Sequence, residues 1–289
     1  MNGFLLLDKP EGLTSAQCVY KLRNTLGIKR IGHCGTLDPL ATGLLPICIG
    51  EATKFSNYAT NLDKVYEVEI KFGIETNTGD ITGQIIAEKG FNVSDQFLKE
   101  HLALIKGINY QIPPMYSAIK KNGKPLYYWA RKGVYLYRES RKIRVKDIKL
   151  IHRYENMAKL KVYCSKGTYV RTLVEQLGRN MESLATVSSL KRLEVGHLNL
   201  EKNFCTLNDS KELLEEKILP CDSMLRDFNK IELNVEDVKK VRNGLSIDYN
   251  ANLEKKGLVR IYTKDNLFMG LGLVSEKNKI QPKRLLSTN

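Results

Sequence analysis

The hydrophobic positions of this chain change period several times, and each change predicts a different element. Residues 64–72 alternate strictly between apolar and polar side chains, which predicts a β-strand with one buried face and one solvated face. Residues 158–165 alternate in the same way. Residues 44–49 are almost entirely apolar, which is typical of a buried strand, and residues 4–7 predict a short apolar strand near the start.

Three other segments carry the spacing of amphipathic helices. Thr14 or Ser15 can cap the first helix, which ends at Gly27. Ser94 is expected to cap the second helix, with Gly107 as its end. The third helix begins near Val170. The side chains expected to face inward are Val19, Leu22 and Leu26 in the first helix, Phe97, Leu98, Leu102 and Ile105 in the second, and Val170, Leu173, Val174, Leu177 and Met181 in the third.

Between the second and third helices, aromatic and basic residues are interleaved. Asn122-Gly123 predicts a tight hairpin, and residues 126–138 then combine one tryptophan and four tyrosines with arginines and lysines. Such a mixture suits stacking on nucleic-acid bases and neutralising phosphates. A solvated basic face with aromatic residues packed beneath it explains the same pattern, so both interpretations remain open here.

The pattern changes again after a break at residues 219–222. Beyond about residue 229 only short strands are predicted, at residues 257–262, 267–274 and 280–286. Gly270 and Gly272 lie inside one of them, where glycine marks a bulge or a bend of a barrel. We therefore predict two domains, residues 1–228 and a small, partly closed β-domain of residues 229–289.

Composition narrows the functional class. Of the 289 residues, 46 are Lys or Arg and 32 are Asp or Glu, so the net charge is +14. This excess favours a polyanionic partner, nucleic acid before an acidic membrane surface. The six cysteines form no C-x-x-C pair, the four histidines lack metal-ligand spacing, and no apolar run reaches 18 residues. We expect a reduced, cytoplasmic protein without a metal site.

The most unusual stretch is residues 32–43, Gly-His-Cys-Gly-Thr-Leu-Asp-Pro-Leu-Ala-Thr-Gly. It holds one carboxylate, Asp38, among three glycines that allow close approach of another backbone or a ligand. Pro39 steers Asp38 away from helical geometry and toward an extended conformation. A simple turn would explain an isolated Asp-Pro, but twelve residues of this composition predict a loop that presents a reactive carboxylate.

These residues resemble the signature loop of the TruB family of bacterial tRNA pseudouridine-55 synthases. Further blocks resemble that family in the same order along the chain: Leu6-Leu7-Asp8-Lys9-Pro10, Gly50-Glu51-Ala52-Thr53-Lys54, Lys64-Val65-Tyr66, Pro114-Met115-Tyr116-Ser117-Ala118, residues 164–172 and Leu190-Lys191-Arg192-Leu193. The resemblance implies an α/β (α+β) pseudouridine synthase fold with a large, mainly antiparallel sheet. It also implies that the C-terminal β-domain is a PUA domain.

The resemblance further implies the chemistry. The family isomerises a uridine in the T-loop of tRNA, cutting the base from C1′ and rejoining it through C5 without a cofactor. By resemblance Asp38 is the nucleophile, attacking either C1′ or C6, and Arg171 pairs with it to keep it ionised. Tyr66 lies against the target uracil and takes part in proton transfer, although a base role would require a strongly shifted pKa.

Three binding residues follow from the same resemblance. His33 would fill the space that the flipped uridine leaves in the T-loop, because an enzyme that acts on a base must extrude it first. Tyr169 and Leu190 would line the pocket. The implied partner is the T-arm of tRNA, and we expect a monomer that uses neither a membrane nor a metal.

Two rival functions remain open from the sequence. Cys34 beside His33 suggests a thiol-dependent uridine methyltransferase, although adjacent residues on an extended strand point to opposite faces. No loop for a methyl donor is visible in the sequence. The second rival is a tRNA-folding chaperone that engages the T-arm without chemistry.

Overall fold

The computed structural model describes residues 1–249, 257–275 and 278–287. The α-helices are α1 Ser15–Leu26, α2 Ser56–Thr60, α3 Asp95–Leu104, α4 Leu126–Ala130, α5 Val170–Asn180, α6 Lys211–Glu216 and α7 Val235–Arg242, with short 3₁₀ helices at Gly50–Phe55 and Ser223–Leu225. The strands are β1 Gly3–Lys9, β2 Ile31–His33, β3 Thr42–Ile49, β4 Lys64–Phe72, β5 Ile74–Thr76, β6 Ile85–Glu88, β7 Gly107–Gln111, β8 Lys120–Lys121, β9 Lys124–Pro125, β10 Arg141–Tyr154, β11 Met157–Cys164, β12 Ala185–Val195, β13 Leu198–Asn199, β14 Phe204–Cys205, β15 Asn229–Leu233, β16 Ile247–Asp248, β17 Gly257–Thr263, β18 Phe268–Val274 and β19 Lys279–Leu285.

One ten-stranded sheet forms the framework of the molecule. Its strand order is β14-β1-β3-β12-β4-β11-β10-β7, with β2 paired to β3 and β13 paired to β12. The pairs β1–β14 and β3–β12 are parallel, and the other pairs in this sheet are antiparallel. The predicted mixed α/β class with a large, mainly antiparallel sheet is therefore confirmed.

The alternation of β4 becomes a two-faced strand at the centre of this sheet. Tyr66, Val68, Ile70 and Phe72 are buried on one face, while Glu67, Glu69 and Lys71 are partly exposed on the other. Helix α5 covers the buried face with Val170, Leu173, Val174 and Leu177, and these side chains join the same core cluster. The sheet and this helix thus enclose the main core.

Helix α1 begins as the sequence predicts, because its cap is encoded locally. The Thr14 side chain accepts from the Gln17 N–H, and the Gln17 side chain accepts in return from the Thr14 N–H. Such a reciprocal capping box satisfies two otherwise unpaired donors. Gly27 ends the helix in the left-handed conformation, at φ 68°.

Helix α3 differs from its prediction in two respects. Ser94 caps it and Leu98, Leu102 and Ile105 are buried, but Phe97 is exposed and its ring packs against His101 instead of facing the core. The helix also ends at Leu104 with Ile105 as its C-cap, and Gly107 starts β7. The helical spacing of apolar residues could not show that Gly107 is the first residue of a strand and not the end of the helix.

The segment between α3 and α5 folds into a small lobe of residues 115–138. Its hairpin β8–β9 turns at Asn122 and Gly123, both at positive φ, as predicted. Met115, Leu126 and Ala130 form a separate small core under it. On its surface Tyr135 and Tyr137 are exposed, and the Lys132 Nζ lies 4.7 Å from the centre of the Tyr128 ring. Trp129 packs against that small core, so aromatic residues lie both beneath the lobe and on its surface.

The described part of the C-terminal segment forms a five-stranded sheet of order β15-β17-β18-β19-β16. The pairing shifts register near Tyr262 and again near Gly272, so the predicted bulges are present. At Gly270, with φ +141°, an added Cβ would lie 2.1 Å from the Arg284 carbonyl oxygen. Glycine is therefore required where β18 bends against β19, and the curled sheet confirms the predicted small barrel-like fold.

Charged contacts join this sheet to the large one. The Glu51 carboxylate accepts from the Ser287 N–H at 2.7 Å and from Arg30 Nη1 at 2.6 Å. Lys54 bonds to Glu51 and donates to the Leu285 carbonyl at 2.8 Å. The Lys54 contact, with the Ser287 N–H, lowers the pKa of Glu51 from 4.5 to about 2.

The contacts of Glu51 predict a pH-dependent loss of stability in Glu51→Gln. The folded-state pKa is depressed, so the ionised carboxylate stabilises the fold above about pH 4.5 and loses this effect as pH falls toward 2. We expect a deficit of roughly 1.5–3 kcal/mol in urea unfolding at pH 7. The deficit should shrink steadily below pH 4.5. Glu201→Gln is the matched exposed control, and a Glu51→Gln deficit that is independent of pH would contradict this account.

Candidate active site

A cavity of about 310 Å³ opens above the centre of the large sheet. It lies where the parallel pair β3–β12 meets the antiparallel pair β12–β4, next to the loop that connects β2 and β3. Its walls include five of the six residues predicted for the site: Asp38, Tyr66, Tyr169, Arg171 and Leu190. Residues from the loop, two strands and one helix therefore converge on one space.

Asp38 and Arg171 form an ion pair in this cavity. Arg171 Nε lies 2.9 Å from Asp38 Oδ2, and the Arg171 side chain is 5% exposed whereas the Asp38 side chain is 35% exposed. The guanidinium is thus buried behind a carboxylate that still reaches open space. Charge-assisted hydrogen bonds of this kind fix direction as well as charge.

Backbone carbonyls hold the other side of the Arg171 guanidinium. Its Nη2 donates to the Tyr116 carbonyl at 2.7 Å, and its Nη1 donates to the Thr78 carbonyl. Asp80 lies 3.8 Å from Nη1. Gly79 makes this approach feasible, because a Cβ there would lie 2.3 Å from Glu175 Oε1 and 3.3 Å from the Arg171 Cβ. The guanidinium therefore cannot swing away from Asp38 without losing several bonds.

Two residues that the sequence did not single out hold the Asp38 loop in place. Lys9 is fully buried at the end of β1, and its Nζ donates to the carbonyls of Pro10, Pro39 and Ala41. Ser15 exchanges hydrogen bonds with the backbone of Leu37 through its hydroxyl. For Lys9, the available signal in the sequence was a lysine at the end of an apolar strand. For Ser15, the sequence predicted only a role as a helix cap.

The electrostatics of Asp38 reflect its burial and its partners. Burial raises the pKa of Asp38 above its ordinary value, and the nearby Asp80 raises it further. The guanidinium of Arg171 and the ammonium of Lys9 lower the same pKa. Without these two cations the carboxyl group would be far harder to ionise inside the cavity.

Tyr66 and Arg192 face each other across the β4–β12 pair. They are register partners, and Arg192 is 1% exposed although its guanidinium reaches the cavity wall. Its Nε donates to the Leu44 carbonyl at 2.7 Å, and its Nη2 donates to the Gly35 carbonyl at 3.1 Å. Burial raises the pKa of Tyr66, while the charge of Arg192 lowers that pKa. Arg192 was not among the predicted site residues, although it lies two residues after Leu190 in a block that resembles the family.

Tyr169 is placed by a pair of backbone bonds at the start of α5. The Gln111 side chain, at the end of β7, donates to the Tyr169 carbonyl at 3.0 Å and accepts from the Tyr169 N–H at 2.8 Å. Leu190, which is 8% exposed, lies on β12 between the sheet core and the cavity. Together they supply apolar and aromatic surface beside the ion pair.

Comparison with known proteins matches this architecture. The model of the TruB family pseudouridylate synthase N-terminal domain matches residues 23–170, and the model of the pseudouridine synthase II TruB C-terminal domain matches residues 230–286. The chain belongs to the TruB family. It is thus a pseudouridylate synthase by family, and the PUA-like C-terminal fold agrees with this.

Curated relatives cover nearly the whole chain. "tRNA pseudouridine synthase B" of Pasteurella multocida is 38% identical over 100% of this chain and 96% of its own length. The proteins of the same name from Buchnera aphidicola and Clostridium kluyveri are 39% and 38% identical, over 99% and 94% of this chain. The similarity therefore spans both the catalytic sheet and the C-terminal sheet.

Solved structures support the fold at greater distance. The crystal structure of a Cbf5-Nop10-Gar1 complex has a TM-score of 0.76 at 22% identity, covering 99% of this chain and 84% of the matched one. An H/ACA RNP bound to a substrate RNA containing 2′-deoxyuridine has a TM-score of 0.77 at 20% identity, covering 99% and 85%. At such identity the likeness establishes the pseudouridine synthase fold alone.

His33, the sixth predicted residue, lies outside the cavity. It ends β2, its ring is half-buried, and its Nδ1 has no hydrogen-bond partner among the described residues. Burial, then the charge of Arg192, lowers the pKa of His33. The imidazole is therefore neutral at pH 7, which suits contact with bases more than contact with phosphate.

Cys34 is a core residue and not part of the cavity wall. It is fully buried in the cluster that contains Phe4, Leu44 and Cys48, and it is absent from the cavity wall. Interaction with Cys48, which lies in the same cluster, and burial both raise the pKa of the Cys34 thiol. A nucleophilic thiol needs a low pKa and access, and Cys34 has neither.

Two features of the described residues concern metal ions and membranes. No cluster of three His, Cys, Asp or Glu side chains with the arrangement of a metal site occurs in residues 1–249, 257–275 and 278–287. The longest helix in that part of the chain has 12 residues, and none there has the length and apolar content to cross a membrane.

The ion pair predicts how Asp38 titrates. In carbon-13 NMR of the aspartate carboxyl groups, the Asp38 midpoint should lie above the ordinary value of about 3.9 because burial raises its pKa. Arg171→Gln should raise that midpoint further, since it removes the charge that lowers it. Arg179→Gln, on the exposed face of the same helix where Arg179 pairs with Glu75, should leave it unchanged. A midpoint that falls in Arg171→Gln would contradict this electrostatic account.

Proposed function

We propose that the chain converts uridine 55 in the T-loop of tRNA to pseudouridine, with Asp38 as the nucleophile. The observation that carries this proposal is the Asp38–Arg171 pair, which aims a half-exposed carboxylate into the cavity. The relatives' shared name supports tRNA as the substrate. Base flipping belongs to the proposal because a paired uracil could not reach a carboxylate inside a cavity.

The proposed reaction balances without a cofactor. Asp38 forms a bond to C1′ as the C1′–N1 bond breaks, or adds to C6 of the uracil before that bond breaks. The base then turns, its C5 bonds to C1′, and the bond to Asp38 is released. The C5 proton leaves and N1 gains a proton, so the product is an isomer of the substrate.

An ionised carboxylate is required for either form of attack. Arg171 and Lys9 lower the pKa of Asp38 against the effect of burial, and both are anchored by backbone carbonyls. Arg171 also holds Asp38 in one direction, which reduces the entropy lost on reaching the transition state. We assign Arg171 to the catalytic set on this basis.

The remaining predicted residues would bind the uridine. Tyr66, Tyr169 and Leu190 line the cavity and would contact the base and the ribose. Because burial raises the pKa of Tyr66, its hydroxyl stays protonated at neutral pH and acts as a donor before it could act as a base. His33, at the end of β2 outside the cavity, would occupy the space that the flipped uridine vacates in the T-loop.

Two regions would hold the rest of the T-arm. One is the lobe of residues 115–138, with its exposed tyrosines and cations; the other is the C-terminal sheet. We propose residues 1–228 as the catalytic domain and residues 229–289 as a PUA-like RNA-binding domain, acting together as a monomer in the cytoplasm.

The rival chemistry based on Cys34 has little support, because that thiol is buried away from the cavity. A tRNA chaperone role is compatible with the basic lobe and can coexist with catalysis. An experiment that separates binding from chemistry therefore decides between the two functions.

Tritium release from [5-³H]uridine-labelled tRNA tests the proposal directly. The wild-type protein should release tritium as C5 loses its hydrogen, Cys34→Ala should do the same, and Asp38→Asn should release none above background. From a labelled tRNA with cytidine at position 55, the wild-type protein should release no tritium above background, because the remaining uridines are not its target. Tight binding of tRNA without release by the wild type would instead establish the chaperone. Release that requires both a methyl donor and Cys34 would establish the methyltransferase.

The lobe predicts a separate effect on binding. Lys124 and Lys132 lie over the same Tyr128 ring, at 5.6 and 4.7 Å from its centre. Replacing both by Gln should weaken tRNA binding and reduce the slope of log Kd against log salt by up to about 2, because each phosphate contact releases counterions. Lys99→Gln, on the exposed face of α3, is the control. An unchanged slope would remove the lobe from the interface.

A further inference from the structure

Arg192 is a buried cation without a carboxylate partner. It is 1% exposed, and among the described residues no Asp or Glu oxygen lies within 4.0 Å of its guanidinium. Two carbonyls, of Gly35 and Leu44, accept from it instead. Desolvating an unpaired charge is costly, so a protein keeps one where its field has a use.

The field of Arg192 reaches the groups around the cavity. Its charge lowers the pKa of Tyr66, and it also lowers the pKa of Lys64 and of His33. By contrast, the other buried arginine of the site, Arg171, is neutralised by Asp38. The β12 side of the cavity is therefore electropositive before any substrate enters.

Tyr66 shares the wall of the cavity with Arg192. Arg192 is the register partner of Tyr66, and both residues line the cavity. A guanidinium has no acceptor atoms, so Tyr66 cannot donate its phenolic hydrogen to Arg192, and that hydrogen remains for another acceptor. Tyr66 lines the cavity, where a uracil offers two carbonyl oxygens.

We propose that Tyr66, supported by Arg192, donates a hydrogen bond to a carbonyl oxygen of the target uracil and stabilises the negative charge that the base acquires during the reaction. Heterolysis of C1′–N1 sends the bonding electron pair to the base, where O2 and O4 share it. Addition of Asp38 to C6 sends the pair through C5 and C4 to O4. Both branches place negative charge on a carbonyl oxygen, so the role of the pair does not depend on the branch.

In this arrangement Tyr66 is a catalytic donor and Arg192 is a positioning residue. A preorganised donor aimed at a developing oxyanion contributes roughly 10²–10³-fold to a rate. The same donor contributes little to binding the neutral base, because the charge appears only as the bond breaks. A backbone phosphate would behave differently, since its charge is permanent and its loss would change the affinity and its salt dependence.

A double-mutant cycle tests the pair. Single-turnover pseudouridine formation and tRNA Kd would be measured for Tyr66→Phe, Arg192→Gln and the double variant. We expect each single variant to be about 10²-fold slower with Kd nearly unchanged, and the double variant to be no slower than either, because the two residues act as a unit. Multiplication of the two effects to about 10⁴-fold would overturn the proposal. An altered salt slope of Kd would overturn it in favour of a phosphate contact.

Two further variants separate this role from simple support of the fold. Lys191→Gln changes the neighbouring exposed lysine and should leave the rate unchanged. Arg192→Lys retains the charge and should recover part of the lost rate. If the melting temperature of Arg192→Gln shows that this variant does not fold, Arg192→Lys replaces it in the double-mutant cycle. Arg192 would have a role in folding alone if Arg192→Lys lowers the melting temperature and if its effect on the rate multiplies with that of Tyr66→Phe.

The pH profile distinguishes a donor from a base. Facing Tyr66 are Arg192 from β12, Cys164 from β11 and Asp38 from the loop, and burial raises its pKa above 10. The single-turnover rate of the wild type should therefore stay flat between pH 7 and 9.5, and a tenfold rise per pH unit would make Tyr66 a base and overturn the proposal.

The inference depends on the proposed function, but the two fail differently: an inactive wild type rejects the function, whereas an active wild type with an unimpaired Tyr66→Phe rejects only the inference.

Discussion

The placement of one carboxylate in a desolvated cavity is the constraint on which this structure depends. Burial opposes ionisation of Asp38, and the fold counters this with Arg171 at 2.9 Å and with Lys9 beneath the loop. Each cation is in turn held by main-chain carbonyls from distant parts of the chain. The charges of the site are therefore tied directly to the packing of β1, α5 and the loop that precedes β3.

The sheet topology explains how the site can be both buried and open. The parallel contact between β3 and β12 is short, with Gly43 opposite Arg192 and Thr42 opposite Lys191. A Cβ at Gly43 would lie 2.3 Å from the Arg192 carbonyl oxygen, so the two strands approach closely only because this position is glycine. Away from this contact the space above the strands becomes the cavity.

Local sequence predicted the elements whose information is itself local. The capping box of α1, the alternation of β4 and the hairpin at Asn122-Gly123 all depend on residues a few positions apart, and all three are present. The two predictions about α3 that were wrong depend on contacts outside the helix. Whether Phe97 faces the core and where the helix yields to β7 depend on the sheet edge against which the helix packs.

The sequence by itself determined the family, the fold class and the pairing of Asp38 with Arg171, because residues 32–43 and 164–172 resemble blocks of the TruB family and are visible without coordinates. Only the tertiary structure could assign Lys9, Ser15 and Arg192, since an isolated lysine, serine or arginine has no distinctive local pattern. Their bonds reach 32, 22 and 157 residues along the chain, to Ala41, Leu37 and Gly35. Charge compensation and the separation of Cys34 from the cavity are properties of three-dimensional burial, and no periodicity in the sequence encodes them.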